Sequence, residues 1–351
     1  MGVSSFMKGG SLKRGIFIFL LITLIAAFLV IVLTVERETI HMLLRIRPSY
    51  LFLALFWVFL SWVFDYLRLR ELTRAAGGDI PFLQGLALVW INYFGCAVTP
   101  LQSGGGPFQI YLLYRNGLPI GKGFAVTLMR TLITLVILSF TGPIIAFTHP
   151  EILKSGFLRG MMFYVFIVLV FVWVIIFISL KKPEIIKRWS SFMVLFLKRL
   201  GLFKKKGPVN LLKRVHREID LYNENFRVFF GKGKIRLFVA VIYSFIQLLV
   251  NFLVLPFLMW GMGMQFDFVK VLMIQAVFLF LLYFVPTPGG SGVAEGGGAV
   301  LFRYVMPVHM TGVMAILWRF FTDYIAVILG GIVVIKVLGL RTIEEVVKPN
   351  D

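Results

Sequence analysis

The stretch FVPTPGGSGVAEGGG, residues 284–298, interrupts one of the most hydrophobic parts of the chain. It combines two prolines, a run of glycines and one glutamate. A regular membrane-spanning helix contains few such residues, because proline removes a backbone donor and glycine weakens a helix. Non-helical backbone at membrane depth is tolerated only where protein or water satisfies its polar groups. The stretch therefore predicts a broken helix that lines a cavity.

The composition is that of a membrane protein. Of the 351 residues, 59% are hydrophobic and 15% are charged, whereas about a quarter of a soluble domain is charged. Uncharged runs at 16–35, 160–180 and 237–266 each reach the roughly 20 residues that cross a bilayer core. The run at 16–35 has no small-residue cleavage site after it, so it predicts a retained helix, not a signal peptide.

The positive charge is concentrated in one segment. The net charge is +20, and much of it lies between residues 181 and 236. By the positive-inside rule this segment is cytoplasmic, which predicts a protein of the cytoplasmic (inner) membrane with both termini in the cytoplasm. Residues 181–234 are either an amphipathic surface segment on anionic lipids or a solvated connector. No nucleic-acid-binding module is visible, and the single cysteine excludes disulfides within the chain.

The hydrophobic pattern predicts an all-α polytopic fold in a single domain, residues 1–351. Two broken segments, 80–114 and 269–306, are too polar in the middle to be simple spans. Six other segments are predicted to span the membrane: 16–35, 50–67, 122–147, 157–180, 235–260 and 309–336.

The two broken segments repeat each other at an offset of 188 residues. Thr99-Pro100 matches Thr287-Pro288, Ser103-Gly104 matches Ser291-Gly292, and Arg115 matches Arg303. The repeats cover about 80–147 and about 267–337. If both segments are re-entrant, an odd number of spans separates them and the repeat is inverted, as in many secondary transporters. If either segment crosses fully, the repeat is not inverted.

Both breaks are predicted to shape a binding site. A half-helix that starts inside the membrane presents unpaired N–H groups and a partial positive charge, which suit a phosphate. The alternative is close packing of small residues between helices. Neither break is a nucleotide-binding loop. The candidate backbone residues are Thr99, Pro100, Gly104, Gly105, Gly106, Pro286, Pro288, Gly289, Gly290 and Gly292.

Charged residues inside the predicted spans are the second group of candidates, because they are costly in lipid and usually face a cavity or a partner. Arg319 and Asp323 are four residues apart and could pair on one helix face. Glu295 or Asp323 would complete the pairing or carry a coupling proton. Asp65 and Arg68, near the end of the second helix, are predicted to be interfacial. The candidate substrate contacts are Arg115, Arg130, Glu295, Arg303, Arg319, Asp323, Ser103 and Ser291.

The motif Pro-x-Pro-Gly-Gly-x-Gly-x-x-Glu, from Pro286 to Glu295, together with TPLQSGGGP at 99–107, resembles a known family. The chain is similar over residues 15–340 to the flippase-like membrane domain of bacterial lysyl-phosphatidylglycerol synthase/flippase, the multiple peptide resistance factor. The resemblance implies movement of a lipid head group between leaflets without ATP hydrolysis. It also implies a core motif of Pro286, Pro288, Gly289, Gly290, Gly292 and Glu295. The soluble aminoacyl-transferase domain of that synthase does not follow here, so we expect no lipid aminoacylation.

The expected function is therefore translocation of a phospholipid or polyprenyl-linked lipid, with no cofactor, metal or catalytic residue and with a possible homo-oligomer. Three alternatives stay open. The chain could transport a small soluble solute by coupling to an ion, modify a lipid head group, or act in assembly with breaks that serve only packing. A cavity that opens sideways to lipid would favour the lipid over the soluble solute.

Overall fold

The computed structural model describes residues 46–99, 102, 104–148, 156–181 and 226–347, and isolated positions between 184 and 224. The regular elements of this part of the chain are helical, which confirms the predicted fold class. The helices are α1 (Pro48–Ala75), α2 (Phe82–Ala97), α3 (Gly105–Arg115), α4 (Ile120–Thr148), α5 (Gly156–Lys181), α6 (Lys234–Phe252), α7 (Val254–Gly261), α8 (Phe268–Leu282), α9 (Val293–Phe302), α10 (Val308–Arg319) and α11 (Ile325–Val347).

Four of the described segments are long and apolar enough to cross a membrane. They are Pro48–Ala75, Ile120–Ile145, Lys234–Gly261 and Val308–Lys336. The first extends beyond the predicted segment 50–67, because residues 68–74 continue the helix and several of them are buried. The predicted helix at 16–35, most of the basic segment 181–234, and the candidates Pro100 and Ser103 lie outside the described residues.

An antiparallel pair made by α1 and the continuous α6–α7 gives the fold its two ends. The backbone N–H of Arg47, just before α1, donates to the carbonyl of Gly261 at the end of α7, at 3.2 Å. At the opposite end, Arg236 near the start of α6 lies 3.3 Å from Glu71 near the end of α1. We call the end with Glu71 and Arg236 end A, and the end with Arg47 and Gly261 end B.

The first broken segment is a re-entrant hairpin of α2 and α3, which we call the first hairpin (residues 82–115). The Gln109 amide on α3 donates to the carbonyl of Leu88 on α2 at 3.0 Å, so the two helices run antiparallel. The hairpin starts at end A, because it follows the end of α1. It also finishes there, because a Cβ on Gly78, before α2, would lie 2.9 Å from Leu118 Cδ1, after α3. The chain enters the fold and returns to the same end without crossing.

The second broken segment, the second hairpin (residues 268–302), consists of α8 and α9. The rings of Phe278 on α8 and Phe302 on α9 are in contact, with centroids 5.8 Å apart. Gly290, before α9, packs on Leu282 at the end of α8, so these helices also turn back on each other. The second hairpin follows α7 and therefore starts at end B. The two hairpins enter from opposite ends, which is the inverted arrangement that the repeat predicts.

Each long helix that follows a hairpin crosses the other hairpin at a glycine. In α4, a Cβ on Gly142 would come within 2.6 Å of the Phe280 ring of α8. In α11, a Cβ on Gly330 would lie 2.1 Å from the carbonyl oxygen of Trp90 in α2. The two glycines are 188 residues apart, the same offset as the sequence repeat. The two halves are therefore interlocked by equivalent contacts.

Candidate functional site

A cavity of about 540 Å³ lies between the two hairpins. The hairpins touch beside it, where the Gln102 side-chain amide donates to the carbonyl of Leu282 at 3.2 Å. Side chains from α1, α2, α4 and α6 line one part, and residues 289, 294, 318–319, 322–324 and 327 line the other. Polar side chains such as Asn92, Thr131 and Asn251 face this space. The site is thus polar, enclosed by apolar helices and shared by both repeats.

The first charged group in the cavity wall is an ion triad of Asp65, Arg68 and Arg130. Asp65 is 2% exposed, and both guanidinium groups bind its carboxylate. Arg68 Nε donates to Asp65 Oδ1 at 3.1 Å, and Arg130 Nε donates to the same oxygen at 3.0 Å. Two cations share one anion, so the triad carries a surplus of one positive charge.

Polar neighbours hold the triad in place. Arg130 Nη1 donates to Gln109 Oε1 at 3.3 Å, and Gln109 in turn donates to α2. Arg68 Nη1 donates to Thr134 Oγ1 at 2.8 Å and to Ser244 Oγ at 3.5 Å. A guanidinium has five N–H donors, and Arg130 directs three of them to described residues. The triad can therefore still donate to an anion in the cavity.

The second charged group is centred on Glu295, which is fully buried. One carboxylate oxygen accepts hydrogen bonds from Arg319 Nη1 and from the Tyr324 hydroxyl, the latter at 2.8 Å. The other accepts the backbone N–H of Gly292 at 2.7 Å, at the start of α9. Arg319 Nη2 donates to the carbonyl of Gly289. The ion pair thus fixes the glycine-rich break to α10.

Asp323 differs from Glu295 in exposure and in contacts. Residues Phe320–Tyr324 form a π-helical turn between α10 and α11, a geometry that is frequent at functional sites. The Asp323 side chain is 37% exposed and lines the cavity. Its Oδ2 lies 3.6 Å from Arg319 Nε, which is too far for a hydrogen bond. That buried Nε has no hydrogen-bond acceptor among the described residues. Asp323 is therefore loosely held.

The breaks have the backbone geometry that glycine and threonine supply. Gly289, Gly290 and Gly292 all have positive φ, between 60° and 85°, where side chains other than glycine are strained. Thr287 donates across the second break to the carbonyl of Ser291 at 2.9 Å. In the first break, the N–H of Gly104 donates to the Thr99 hydroxyl at 2.7 Å. The matching threonines thus close both breaks.

The structure brings together some of the residues that the sequence nominates and separates others. Arg130, Arg319 and Asp323 line the cavity, with Glu295 directly behind. Arg115 and Arg303 instead lie exposed at the ends of α3 and α9 and are not among the lining residues. Both stand at the end of their helix that is remote from the break, which explains the difference.

The remaining candidates surround the breaks. Ser291 is buried beside the cavity and is not among the residues that line it. Gly106 and Gly289 line the cavity, whereas Gly104 and Gly105 are buried where the tip of the first hairpin crosses α2. Pro286 is exposed and Pro288 begins the short 3₁₀ turn Pro288–Gly290.

The prediction that Asp65 and Arg68 are interfacial is wrong. Both are buried, at 2% and 4% exposure, and both line the cavity. The reason is that α1 continues to Ala75, so these residues lie well inside the helix and not at its end. A signal was present, since Asp65 is the one acidic residue in the hydrophobic run 48–67 and intramembrane charges usually have a function.

The family model for the lysylphosphatidylglycerol synthase TM region matches residues 16–330 of the chain. The chain belongs to this family. Two relatives from archaea are similar to it along most of their length. A UPF0104 membrane protein of Archaeoglobus fulgidus is 22% identical over 271 residues, which is 77% of this chain and 81% of the relative. A UPF0104 membrane protein of Pyrococcus horikoshii is 23% identical over 331 residues, 90% of this chain and 96% of the relative.

No solved structure matches the chain. Membership in the lysylphosphatidylglycerol synthase TM-region family confirms the resemblance drawn from the Pro286–Glu295 motif. Family membership and the four long apolar segments together show that the chain is a multi-pass membrane protein.

Proposed function

We propose that this protein moves a phosphate-bearing lipid, or a lipid-linked head group, across the cytoplasmic membrane without ATP hydrolysis. The observation that carries the proposal is the surplus positive charge of the Asp65–Arg68–Arg130 triad in the wall of a polar cavity. Guanidinium groups bind phosphate oxygens with strong, charge-assisted hydrogen bonds. The triad is the feature of the cavity best suited to a phosphate.

The border of the cavity supports a lipid over a soluble solute. Pro107 and Phe124 both line the cavity and both are exposed at its margin between α3 and α4. Ile110 and Leu128 continue this apolar border. A head group can occupy the polar interior while its hydrocarbon tails stay against the apolar margin. The lipid is moved and not modified, so the proposal needs no covalent step.

The charge distribution supports a cytoplasmic position for end A. Arg70, Arg74, Lys122, Lys234 and Arg236 all lie at or near this end. Lys and Arg are enriched in cytoplasmic segments. In this orientation the first hairpin enters from the cytoplasm, and Lys234, at the start of α6, lies on the cytoplasmic side.

The test is leaflet exchange of labelled phosphatidylglycerol and of a labelled polyprenyl phosphate in proteoliposomes. We expect exchange by the wild type and a loss of about tenfold or more in Arg130→Gln, since a charged hydrogen bond contributes roughly 1.5–3 kcal/mol. The substitution leaves Asp65 paired with Arg68, so the neutral pair supports folding. Arg159→Gln, which changes an exposed arginine outside the cavity lining, is the matched control.

Two results would contradict the proposal. One is a folded wild type that exchanges neither lipid, which would favour a transporter of a soluble solute. The other is an Arg130→Gln variant that exchanges lipid as fast as Arg159→Gln does, because the triad would then have no part in transport.

A further inference from the structure

The charged groups of the cavity are balanced when no ligand is bound. Among the described residues, those that line it or lie directly behind the lining are Arg68, Arg130, Arg319, Asp65, Asp323 and Glu295. Three guanidinium groups thus face three carboxylates. Balance of this kind is expected where the surroundings are apolar, because an uncompensated charge is costly there.

The net charge of zero is the sum of two clusters, the triad and the cluster of Arg319, Glu295 and Asp323, each of which carries a net charge. The triad has one positive charge in excess. Arg319 and Glu295 neutralise each other, which leaves Asp323 as the surplus negative charge. A monoanionic phosphate bound at the triad would neutralise the positive surplus. The negative surplus at Asp323 would then have no counterpart.

Of the two carboxylates near Arg319, Asp323 is the one able to accept a proton at low cost. Both oxygens of Glu295 are occupied by donors, so a proton there would displace a hydrogen bond from Arg319, Tyr324 or Gly292. Asp323 makes one loose contact of 3.6 Å and is open to the cavity. A proton on it would break no hydrogen bond to a described residue.

We propose that Asp323 takes up one proton from water when the triad binds a monoanionic head group, so that lipid and proton move together. This inference rests on the proposed function and adds the coupled ion to it. The proton adds to a carboxylate oxygen of Asp323, which becomes neutral. The loaded cavity then regains a net charge of zero, as in the empty state.

Other ionisable groups face Asp323 from each element around it. They are Arg319 and Tyr324 on its own segment, Glu295 from α9, Tyr93 and Cys96 from α2, and the triad across the cavity. Arg319 donates directly to Glu295, whereas its contact with Asp323 is the loose one of 3.6 Å. Once an anion neutralises the positive surplus of the triad, the charge of Asp323 is the one in the cavity that lacks a close counterion among the described residues.

The direction of the pH dependence follows from linkage. A lower pH favours the protonated Asp323, and the protonated form is the one that accommodates the anion. Binding of the anion therefore tightens as the pH falls, by up to about tenfold per pH unit for one coupled proton. A zwitterionic head group adds no net charge, so its binding takes up no proton.

The experiment measures binding of short-chain phosphatidylglycerol to the purified full chain between pH 6 and pH 8, with proton uptake followed in weak buffer. Short-chain phosphatidylcholine is the zwitterionic comparison. We expect the wild type to take up one proton for each phosphatidylglycerol, and its Kd to rise with pH. In Asp323→Asn the uptake and the pH dependence should both disappear, with tight binding even at pH 8. Asp323→Glu should restore the pH dependence.

Asp267→Asn is the matched control, because Asp267 is an exposed carboxylate that caps α8 and asparagine is an equally good cap. It should behave like the wild type. The outcomes separate the two proposals. Binding without proton uptake, or undiminished uptake in Asp323→Asn, overturns the coupling and leaves lipid transport in place. No binding of phosphatidylglycerol by the folded wild type overturns the coupling, and lipid transport is overturned as well only if neither lipid is exchanged in the proteoliposomes.

Discussion

Replacing Asp65 by alanine is expected to destabilise the folded protein by about 3–5 kcal/mol, the range for breaking a buried ion pair. The substitution leaves two buried guanidinium groups, Arg68 and Arg130, without their shared carboxylate. Their remaining partners are neutral oxygens, which cannot compensate two positive charges in an apolar interior. The measurement is equilibrium unfolding in mixed detergent micelles.

Two further variants test whether the loss of charge compensation, and not a packing defect, causes the destabilisation of Asp65→Ala. In the double variant Asp65→Ala/Arg130→Gln one of the two uncompensated cations is gone, so it should be more stable than Asp65→Ala alone. Asp79→Ala breaks the exposed ion pairs with Arg70 and Arg74, and such pairs contribute little. A loss in Asp65→Ala no larger than that in Asp79→Ala would contradict the interpretation of the triad.

Gly330→Ala is expected to weaken the junction between α11 and the first hairpin. The new methyl group would lie 2.1 Å from the carbonyl oxygen of Trp90, and this atom belongs to the backbone of α2. One of the two helices has to move, at a cost of roughly 1–3 kcal/mol. We expect a lower unfolding temperature and slower lipid exchange, since α2 also lines the cavity.

The neighbouring residue provides the control for this prediction. A Cβ on Gly331 would lie 3.4 Å from the Phe94 ring, an ordinary contact. Gly331→Ala should therefore leave the unfolding temperature unchanged or raise it slightly, because alanine is the better helix former. Equal effects of the two substitutions would show that α11 does not cross α2 in the described way.

The sequence predicted those parts of the fold that depend on local composition. Residues 99–107 and 284–298 could be identified as breaks because proline and glycine act on their own backbone. The offset of 188 residues reveals the repeat, but the sequence does not single out Gly142 and Gly330, because single glycines are common in hydrophobic helices. Their function depends on a helix far away in sequence.

The site was predicted only in part, because the depth of a charged residue cannot be determined from its distance to a helix end. Arg68 begins the basic cluster RLRELTR, residues 68–74, directly after the hydrophobic run, and its place near the predicted helix end is the basis for predicting an interfacial residue. In the structure the cluster is helical, and Arg68 faces inward while Arg70 and Arg74 face Asp79 at end A. Helical periodicity places these residues on different faces.

The ion-pair partner of Arg319 is a second part of the site that the sequence did not predict. Helix periodicity favoured Asp323, four residues later, whereas the closest carboxylate is that of Glu295, 24 residues earlier. The chain reverses between α9 and α10, and only this packing of the two helices brings Glu295 to Arg319. The π-helical turn also places Tyr324 on the same carboxylate, and no pattern in the sequence predicted that turn.

The crossing of α11 over α2 has a consequence for biosynthesis. The ribosome makes Trp90 240 residues before Gly330. At roughly 5–20 residues per second, the first hairpin waits on the order of 10–50 s for the helix that covers it. During that interval the face of α2 around Trp90 lacks the cover that α11 gives it in the finished fold. Membrane insertion of the first half must therefore tolerate, or be assisted through, an unfinished state that ends only when the last helix is made.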